Sequence, residues 1–294
     1  MDVFYTRTYN TWNDNIKKQE IVERVSERLG YKEIAFFRFD DKCDTDAELD
    51  IRMEGIMAPV GDDDILIFQY PGMVSLRYDS FAVKHIKKGT KLIIFVQDLG
   101  CKVCPKEYAD IEQEIALFNR ADLLILQSEA MCGYLKANGL KDIPVLYQKM
   151  WDYPYDICSH VDNPDRKIDY ISNISIEALL DDTQSGFGLC ADFADEYQNM
   201  CNPVRTGFYL CKGMPVIAKE NSCLSQCVKK YNVGIVKETY EEAEEEIHNM
   251  SEDDRRKLLE NVEKIGSGLS KGIFTGVLLQ NAVFSVWENK IVTF

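Results

Sequence analysis

Continuous runs of apolar residues, separated by amphipathic stretches, dominate the first half of the chain. Apolar residues recur at helical spacing at Ile16, Ile21, Val25 and Leu29 and predict a helix. The runs themselves are apolar throughout, which is typical of strands buried on both faces of a parallel sheet. They predict strands at Val3–Thr6, Glu33–Phe39, Asp64–Tyr70, Lys91–Gln97, Asp122–Gln127 and Ile143–Tyr147. Because helical patterns fall between the strands, we expect a doubly wound α/β sheet.

Residues 186–217 predict a strand, a polar loop, a helix and a second strand. Gly186–Leu189 is the apolar strand and Ala191–Met200 is the loop. Asn202 is a favoured N-cap and Pro203 suits the first helical position, so the pair predicts a helix start. Arg205 lies in the first turn, where it and the helix N-terminus would bind an anion such as a diphosphate. An ordinary αβ unit with a solvated Arg205 explains these residues equally well.

The remaining pattern divides the chain and completes the second half. Turn-forming residues at 151–166 predict a hinge. A strand is predicted at Ile168–Ile171 and a short helix at Ser175–Asp181. A helix that starts at Ser251 is predicted to break at Gly266–Gly272, and an amphipathic helix follows at Phe274–Trp287. The chain of 294 residues is long enough for two domains, each with its own core.

Charge and cysteine content narrow the class of protein. A formal net charge of −15 argues against a nucleic acid as the main partner. We expect a cytoplasmic protein, because the first residues lack a secretory signal and no run is long enough to span a membrane. The ten cysteines are then expected to be reduced. The pairs Cys101/Cys104 and Cys223/Cys227 suit ordinary thiols better than a zinc or redox site, because no further ligand or thioredoxin-like order accompanies them.

Several common site motifs are missing from the sequence. Neither G-x-G-x-x-G nor a P-loop occurs, so a dinucleotide cofactor and a P-loop ATPase are not indicated. The acidic run Asp62–Asp64 precedes its strand and lies at the wrong end of the sheet for a D-x-D metal site. None of the three histidines stands beside a serine or cysteine in a nucleophile-elbow context, so a hydrolase triad is not indicated. We therefore expect no metal site and no cofactor.

Motifs spread over most of the chain carry a family resemblance. They are Trp151-Asp152-Tyr153-Pro154, Gly186–Leu189, Asp195–Tyr197, Asn202-Pro203-Val204-Arg205, Gly213–Ile217 and Lys271–Thr275. In order and spacing they resemble bacterial GT-B glycosyltransferases of the galactofuranosyltransferase-like type, which include the third glucosyltransferase of serine-rich adhesin glycosylation. The chain differs in having Arg205 where the family has lysine. It is also shorter between Trp151 and Gly186, so the donor domain is expected to be shortened.

The resemblance implies a fold and a domain organisation. The fold is two Rossmann-like, doubly wound domains that face a cleft, with a C-terminal helix that crosses back to the first domain. We assign residues 1–155 to the acceptor domain, 156–275 to the nucleotide-sugar domain and 276–294 to the returning helix. The implied activity is metal-independent transfer of glucose or galactofuranose from a UDP-sugar to a glycan on a protein or lipid carrier. A non-catalytic relative that binds glycans or a partner is the alternative, and peripheral membrane association and a homo-oligomer remain open.

Candidate site residues lie where such a sheet binds its ligands, beyond the carboxyl ends of the strands. Polar residues there suit a sugar acceptor: Thr8, Asn10, Asn13, Asp14, Gln69 and Tyr70. Asp98 follows the fourth strand and is the candidate general base, although capping of the next helix or turn explains it as well. For the donor we predict Asn202, Pro203 and Arg205 at the diphosphate, with Gly188 beside it. Glu196 and Tyr197 either hold the ribose or base or belong to an ordinary loop surface.

Overall fold

The structure is a computed structural model that describes residues 1–9, 16–108, 110–155, 186–190 and 195–288. The chain divides into two compact units. Unit 1 consists of Met1–Gln148 and Gly276–Phe294, and unit 2 consists of Lys149–Thr275. Each unit contains a parallel β-sheet with helices, so the α/β class predicted from the sequence is confirmed.

Unit 1 is built on a parallel sheet of six described strands in the order β2-β1-β3-β4-β5-β6. The strands are β1 (Val3–Tyr9), β2 (Lys32–Phe37), β3 (Ile65–Tyr70), β4 (Lys91–Val96), β5 (Leu123–Leu126) and β6 (Val145–Tyr147). All residues of β3 and β5 are buried, as expected for strands covered on both faces. The direction of winding reverses between β1 and β3, which is where sheets of this kind bind ligands.

The described helices of unit 1 follow the strands as the sequence predicts. They are α1 (Ile16–Arg28), α2 (Asp46–Met57), α3 (Leu76–Lys84), α4 (Gly100–Val103), α5 (Ile111–Phe118) and α6 (Glu129–Ala137). A capping box at Thr45 starts α2, and the serines Ser75 and Ser128 cap α3 and α6. These caps satisfy backbone N–H groups that a helix start leaves without partners.

Unit 2 contains a smaller parallel sheet in the order β7-β8-β9. Side chains of β8 alternate between two apolar clusters, with Val216 in one and Ile217 in the other, so helices cover both faces of the sheet. The described elements are β7 (Gly188–Leu189), α7 (Glu196–Met200), α8 (Val204–Cys211), β8 (Val216–Lys219), α9 (Cys223–Tyr231), β9 (Gly234–Lys237), α10 (Tyr240–Asn249), α11 (Glu252–Leu269) and α12 (Ile273–Glu288). The last helix belongs to both units. Its residues up to Thr275 lie in unit 2, and those from Gly276 onwards lie in unit 1.

The structure corrects one predicted helix end. The break expected at Gly266–Gly272 is wrong in its first half, because α11 continues through Gly266 to Leu269. A Cβ atom on Gly266 would lie 2.3 Å from the backbone oxygen of Leu210 in α8. The glycine therefore permits close packing of α11 on α8 and does not end the helix. The strand predicted at Ile168–Ile171 and the helix predicted at Ser175–Asp181 lie outside the described residues.

Within the described residues, no single helix is long and apolar enough to cross a membrane. The two consecutive helices α11 and α12 meet the length and composition criteria only as a pair, and that pair is bent by 52°.

Candidate functional site

The first turn of α8 combines backbone donors with one cationic side chain. Pro203 occupies the N-cap, and within the described residues no side chain at that position bonds the first turn. In α3, α6 and α9 the same position is a serine whose hydroxyl accepts from the helix backbone. Arg205 is the second residue of α8 and is partly buried. The Thr206 N–H donates to the backbone oxygen of Pro203 at 3.1 Å, so the N–H groups of Val204 and Arg205 are the first-turn donors considered for a ligand. A helix start of this kind next to a guanidinium is suited to bind a phosphate-type anion.

The helix starts one residue later than predicted, so that Pro203 and not Asn202 is its N-cap. Pro203 is the N-cap itself and has an extended backbone, with φ −75° and ψ 135°. Asn202 is buried, and its Oδ1 accepts a hydrogen bond from the Cys223 thiol at 3.2 Å. Asn202 therefore connects the start of α8 to α9, and the prediction that it caps α8 is wrong.

Glu196 and Tyr197 lie on the short helix α7 and not in a continuous loop as predicted. Asp195 caps α7: its Oδ1 accepts from the backbone N–H groups of Tyr197 at 2.9 Å and Gln198 at 3.1 Å. The side chain of Gln198 donates to the other oxygen of Asp195 at 2.9 Å. An aspartate followed three residues later by glutamine is a capping signal that the sequence already contained.

Gly188 lies in β7, where it makes room for a neighbouring aromatic ring. A Cβ atom on Gly188 would lie 2.3 Å from the ring of Tyr209 in α8. The missing side chain is thus required for packing of α8 on the sheet. The hydroxyl oxygen of Tyr209 is buried and has no hydrogen-bond partner within the described part of the chain.

In unit 1, Thr8 lies beside the point where the winding of the sheet reverses. Its buried hydroxyl donates to the backbone oxygen of Gly72 at 2.9 Å and so connects the end of β1 to the segment after β3. Asn10, Asn13 and Asp14, which were predicted to bind the acceptor with it, lie outside the described residues. Thr8 is thereby placed at the sheet edge that the prediction named.

Gln69 and Tyr70 are buried, and their side chains contact other residues of unit 1. The Gln69 amide donates to the backbone oxygen of Thr6 at 2.7 Å. Tyr70 is fully buried, and its ring packs edge-on against Tyr108 and Phe118 at centroid distances of 5.6 and 4.8 Å. Tyr70 is therefore a core residue in this structure, and its ring is not placed where an acceptor could reach it.

A row of buried glutamines at the carboxyl ends of four adjacent strands was missed by the sequence analysis. Gln97 donates through its side-chain amide to Oε1 of Gln69 at 2.5 Å, and Gln127 donates to the backbone oxygen of Gln97. The signal was available, because four of the predicted strands reach a glutamine at or next to their ends. The members of this glutamine row are Gln69, Gln97, Gln127 and Gln148.

Asp98 is the second residue after β4 and forms an ion pair with Lys18 of α1. Lys18 Nζ donates to Asp98 Oδ2 at 2.7 Å and to the backbone oxygen of Gln97 at 3.1 Å. Both side chains are nearly buried, with 13% of Lys18 and 9% of Asp98 exposed. Leu99 is the N-cap of α4, so Asp98 does not occupy the capping position that was the alternative for it. Nothing in the sequence pointed to Lys18.

The Cys101/Cys104 pair and the metal-ligating side chains of the described residues were candidates for redox or metal chemistry. Burial is the largest cause that raises the pKa of Cys101 to about 12, and it shifts the pKa of Cys104 upward as well. Reactive cysteines need a lowered pKa, so this pair does not have the properties of a redox centre. No group of three or more histidine, cysteine, aspartate or glutamate side chains within the described ranges is arranged to hold a metal ion.

Two family models match the chain from near its start to residue 282. The model described as glucosyltransferase 3-like, N-terminal domain, matches residues 2–150, and the corresponding C-terminal domain matches residues 137–282. Glucosyltransferase 3 of Streptococcus gordonii is 27% identical and covers 91% of this chain and 93% of its own length. Glucosyltransferase 3 of Streptococcus parasanguinis is also 27% identical, with 90% and 92% covered.

Solved structures of two more distant proteins share the fold. Sucrose-phosphate synthase from Thermosynechococcus elongatus superposes with a TM-score of 0.57 at 11% identity, covering 99% of this chain and 100% of its own. Anabaena HepE, solved in complex with UDP, superposes with a TM-score of 0.53 at 10% identity, covering 97% and 100%. Both likenesses concern the fold alone, which is of the GT-B type. Since the family models account for nearly the whole chain, it belongs to the glucosyltransferase 3-like family and is a glycosyltransferase.

Proposed function

We propose that this protein transfers a hexose, glucose or galactofuranose, from a UDP-sugar to a glycan acceptor on a protein or lipid carrier. The observation that carries the proposal is the start of α8, where no side chain of the N-cap residue bonds the first turn and Arg205 adds a positive charge. Family membership supports a sugar donor, and HepE, which shares the fold, was solved with UDP.

The donor half of the reaction requires that the leaving diphosphate be stabilised. As the bond between the anomeric carbon and the diphosphate oxygen breaks, its electron pair passes to that oxygen and negative charge builds on the UDP. Arg205 and the N–H groups of the first turn of α8 would stabilise this charge. In this proposal these groups do so without a resident metal ion. Glu196 and Tyr197, on the neighbouring helix α7, remain our candidates for the ribose or base.

The acceptor half requires a base for the attacking hydroxyl. We assign that role to Asp98, whose carboxylate lies at the carboxyl end of β4. The acceptor hydroxyl would transfer its proton to this carboxylate while its oxygen bonds to the anomeric carbon. Lys18 fixes the carboxylate through its 2.7 Å ion pair, so the base would be positioned before the acceptor binds.

The proposal extends to the setting in which the reaction takes place. We propose a cytoplasmic enzyme that uses no cofactor besides its donor substrate. The acceptor residues at the edge of unit 1 are expected to be Thr8, with Asn10, Asn13 and Asp14 of the segment after β1. Gln69, whose buried side chain bonds Thr6 and Gln97, is assigned to the framework beneath them. Peripheral membrane association and a homo-oligomer are both compatible with this function.

Release of UDP from UDP-glucose and from UDP-galactofuranose, in the presence of glycan acceptors, tests the proposal. We expect one donor to be turned over and Arg205→Ala to lower the catalytic efficiency by on the order of a hundredfold, because a charge-assisted contact to the diphosphate is lost. Arg205→Lys should retain part of the activity, since it keeps the charge but loses the planar fork.

The matched control is Arg256→Ala, which removes an exposed arginine of unit 2 that pairs with Asp253 at 3.0 Å. It should leave turnover unchanged. Equal activity of the Arg205→Ala variant and the wild type would contradict the donor site. Binding of UDP without turnover of either donor would instead favour the alternative, a non-catalytic relative that recognises glycans or assists a partner.

A further inference from the structure

Asp152 ties the first residues of unit 2 to its last residues. Its side chain is fully buried, and its two carboxylate oxygens accept from the backbone N–H groups of Phe274, at 3.2 Å, and Thr275. These are the second and third residues of α12, so Asp152 caps that helix across 122 positions of sequence. A second contact supports the same joint, because the Tyr153 N–H donates to the backbone oxygen of Leu269 at 3.1 Å.

A buried carboxylate is costly unless hydrogen bonds compensate for the loss of water. Two backbone N–H groups at the positive end of the long helix α12 provide that compensation for Asp152. An amide at position 152 has only one acceptor oxygen and no negative charge, and an apolar side chain has neither. The chemistry of this joint is therefore specific for aspartate.

The helix α8 rests directly on this joint. A Cβ atom on Gly207 would lie 2.3 Å from the backbone oxygen of Trp151, the residue before Asp152. The ring of Tyr153 packs edge-on against that of Phe208 at 5.4 Å. Gly207 is two residues from Arg205, so the surface on which α8 rests also sets where its first turn lies.

We infer that Asp152 is a positioning residue for the donor site, acting through the segment Trp151–Tyr153 on α8. The inference rests on the proposed function, because it assigns the donor diphosphate to the first turn of that helix. It assigns a role to two sequence motifs that the proposed chemistry does not use, Trp151–Pro154 and Lys271–Thr275. The two motifs meet at the buried carboxylate of Asp152.

Two variants disturb the joint from opposite sides. Asp152→Asn removes one acceptor and places an amide N–H against a backbone N–H. Gly207→Ala keeps Asp152 but adds a methyl group that needs about 1 Å of extra space to reach an ordinary contact distance. In both variants we expect the KM for the UDP-sugar to rise by roughly ten- to a hundredfold, while kcat at saturating donor changes little.

Hydrogen exchange of the α8 amides, measured without nucleotide, provides a second readout that does not depend on donor binding. Both variants should speed exchange in α8 and leave the sheet of unit 1 unchanged. Gly207→Ala keeps the test decisive if Asp152→Asn fails to fold. The matched controls are Gly133→Ala in α6, where a Cβ would meet no atom of the described residues within 4 Å, and Asp110→Ala, which removes a helix cap from unit 1.

The outcomes separate this inference from the proposed function. Faster exchange in α8 together with a raised donor KM supports the positioning role. A lowered melting temperature with unchanged α8 exchange and unchanged KM, as expected for Asp110→Ala, overturns it. If the wild type binds no UDP, the proposed function fails, and with it the link from the joint to a donor. If the wild type binds UDP and both variants bind it equally well, only the positioning role fails.

Discussion

The carboxyl edge of the unit 1 sheet and the start of α8 in unit 2 use their polar groups in different ways. At the unit 1 edge, side chains satisfy one another: Gln97 bonds Gln69, and Lys18 pairs with Asp98. At the start of α8, the N-cap is a proline and leaves the first N–H groups without a side-chain acceptor at that position. The polar side chains of the first region bond one another, whereas the second region is where we propose that the donor diphosphate binds.

The helix caps show the same contrast in a simpler form. Ser75 and Ser128 close the N-termini of α3 and α6 in unit 1 with hydrogen bonds of 3.0 Å. Pro203 has no side-chain hydrogen-bond acceptor and therefore does not cap α8 in this way. In the proposed function, the acceptor and the base belong to unit 1, and the affinity for the donor is assigned to unit 2. Substitutions in each unit test this division.

Asp98→Asn is expected to have the largest effect, because it removes the proposed base. We expect kcat to fall by on the order of 10²- to 10⁴-fold. The affinity for UDP, measured by calorimetry, should stay within about twofold of the wild type. A normal kcat would show that Asp98 belongs to the framework only. A large loss of UDP affinity would break the division between the two units.

Pro203→Asp should convert α8 into a capped helix like those of unit 1. An aspartate at the N-cap stabilises a helix by about 0.5–2 kcal/mol, and its carboxylate would compete with the diphosphate for the same N–H groups. We expect the protein to become slightly more stable while UDP binding weakens by roughly tenfold or more. Thermal unfolding and calorimetric titration measure the two changes. Unchanged UDP affinity would place the diphosphate elsewhere.

Gln69→Leu tests the framework of unit 1. The substitution leaves the Gln97 amide and the Thr6 carbonyl oxygen without their partner in a buried region. We expect the free energy of unfolding to fall by about 1–3 kcal/mol, with no change in UDP affinity. Urea denaturation measures this loss, and Gln113→Ala on the exposed side of α5 is the matched control. If Gln69→Leu is as stable as that control but raises the KM for the acceptor, Gln69 binds substrate and the framework role is wrong.

The smallest effect concerns the pH dependence of stability. Burial raises the pKa of Asp79 from 3.8 to about 7, against the opposing hydrogen bonds from the Gly72 N–H and the Tyr108 hydroxyl. Burial likewise raises the pKa of Glu23 from 4.5 to about 7, with Arg7 opposing. Between the ordinary pKa of each carboxyl, which applies to the unfolded chain, and its raised value in the folded protein, the folded state binds more protons than the unfolded state. Stability is therefore highest at low pH within this window and falls as the pH rises towards 7.

Urea denaturation at pH 5, 6 and 7 measures this slope, which should be on the order of 1 kcal/mol per pH unit. Asp79→Asn should reduce the slope, because an amide keeps the acceptor for Gly72 and Tyr108 but does not titrate. The part that remains belongs to Glu23. A slope equal to that of the wild type would show that Asp79 does not carry the effect.

The fold of unit 1 followed from the sequence because its strands are continuous apolar runs with helical patterns between them. The end of α11 did not, because Gly266 is a typical stop signal in isolation. Its true role depends on the backbone oxygen of Leu210, 56 positions earlier in the chain, and no local pattern contains that contact. Glycines that permit close packing and glycines that end helices are alike in sequence.

The candidate site was predictable in part for similar reasons. The asparagine and proline before α8 located its start to within one residue, and Arg205 lies in the first turn as predicted. Two contacts are long-range and are not revealed by local spacing. They are the hydrogen bond from the Cys223 thiol to Asn202 and the ion pair of Lys18 with Asp98. Tyr70 was misjudged because a residue at the end of a buried strand can face the core as readily as the ligand.

The most direct test of the account compares UDP with uridine, since the two ligands differ only in the diphosphate. Calorimetric titration of the wild type should give an affinity for UDP on the order of ten- to a hundredfold higher than that for uridine. Arg205→Ala should bring the two affinities close together and leave uridine binding unchanged. If Arg205→Ala keeps the wild-type ratio, the diphosphate is not held at the start of α8 and the central claim is wrong.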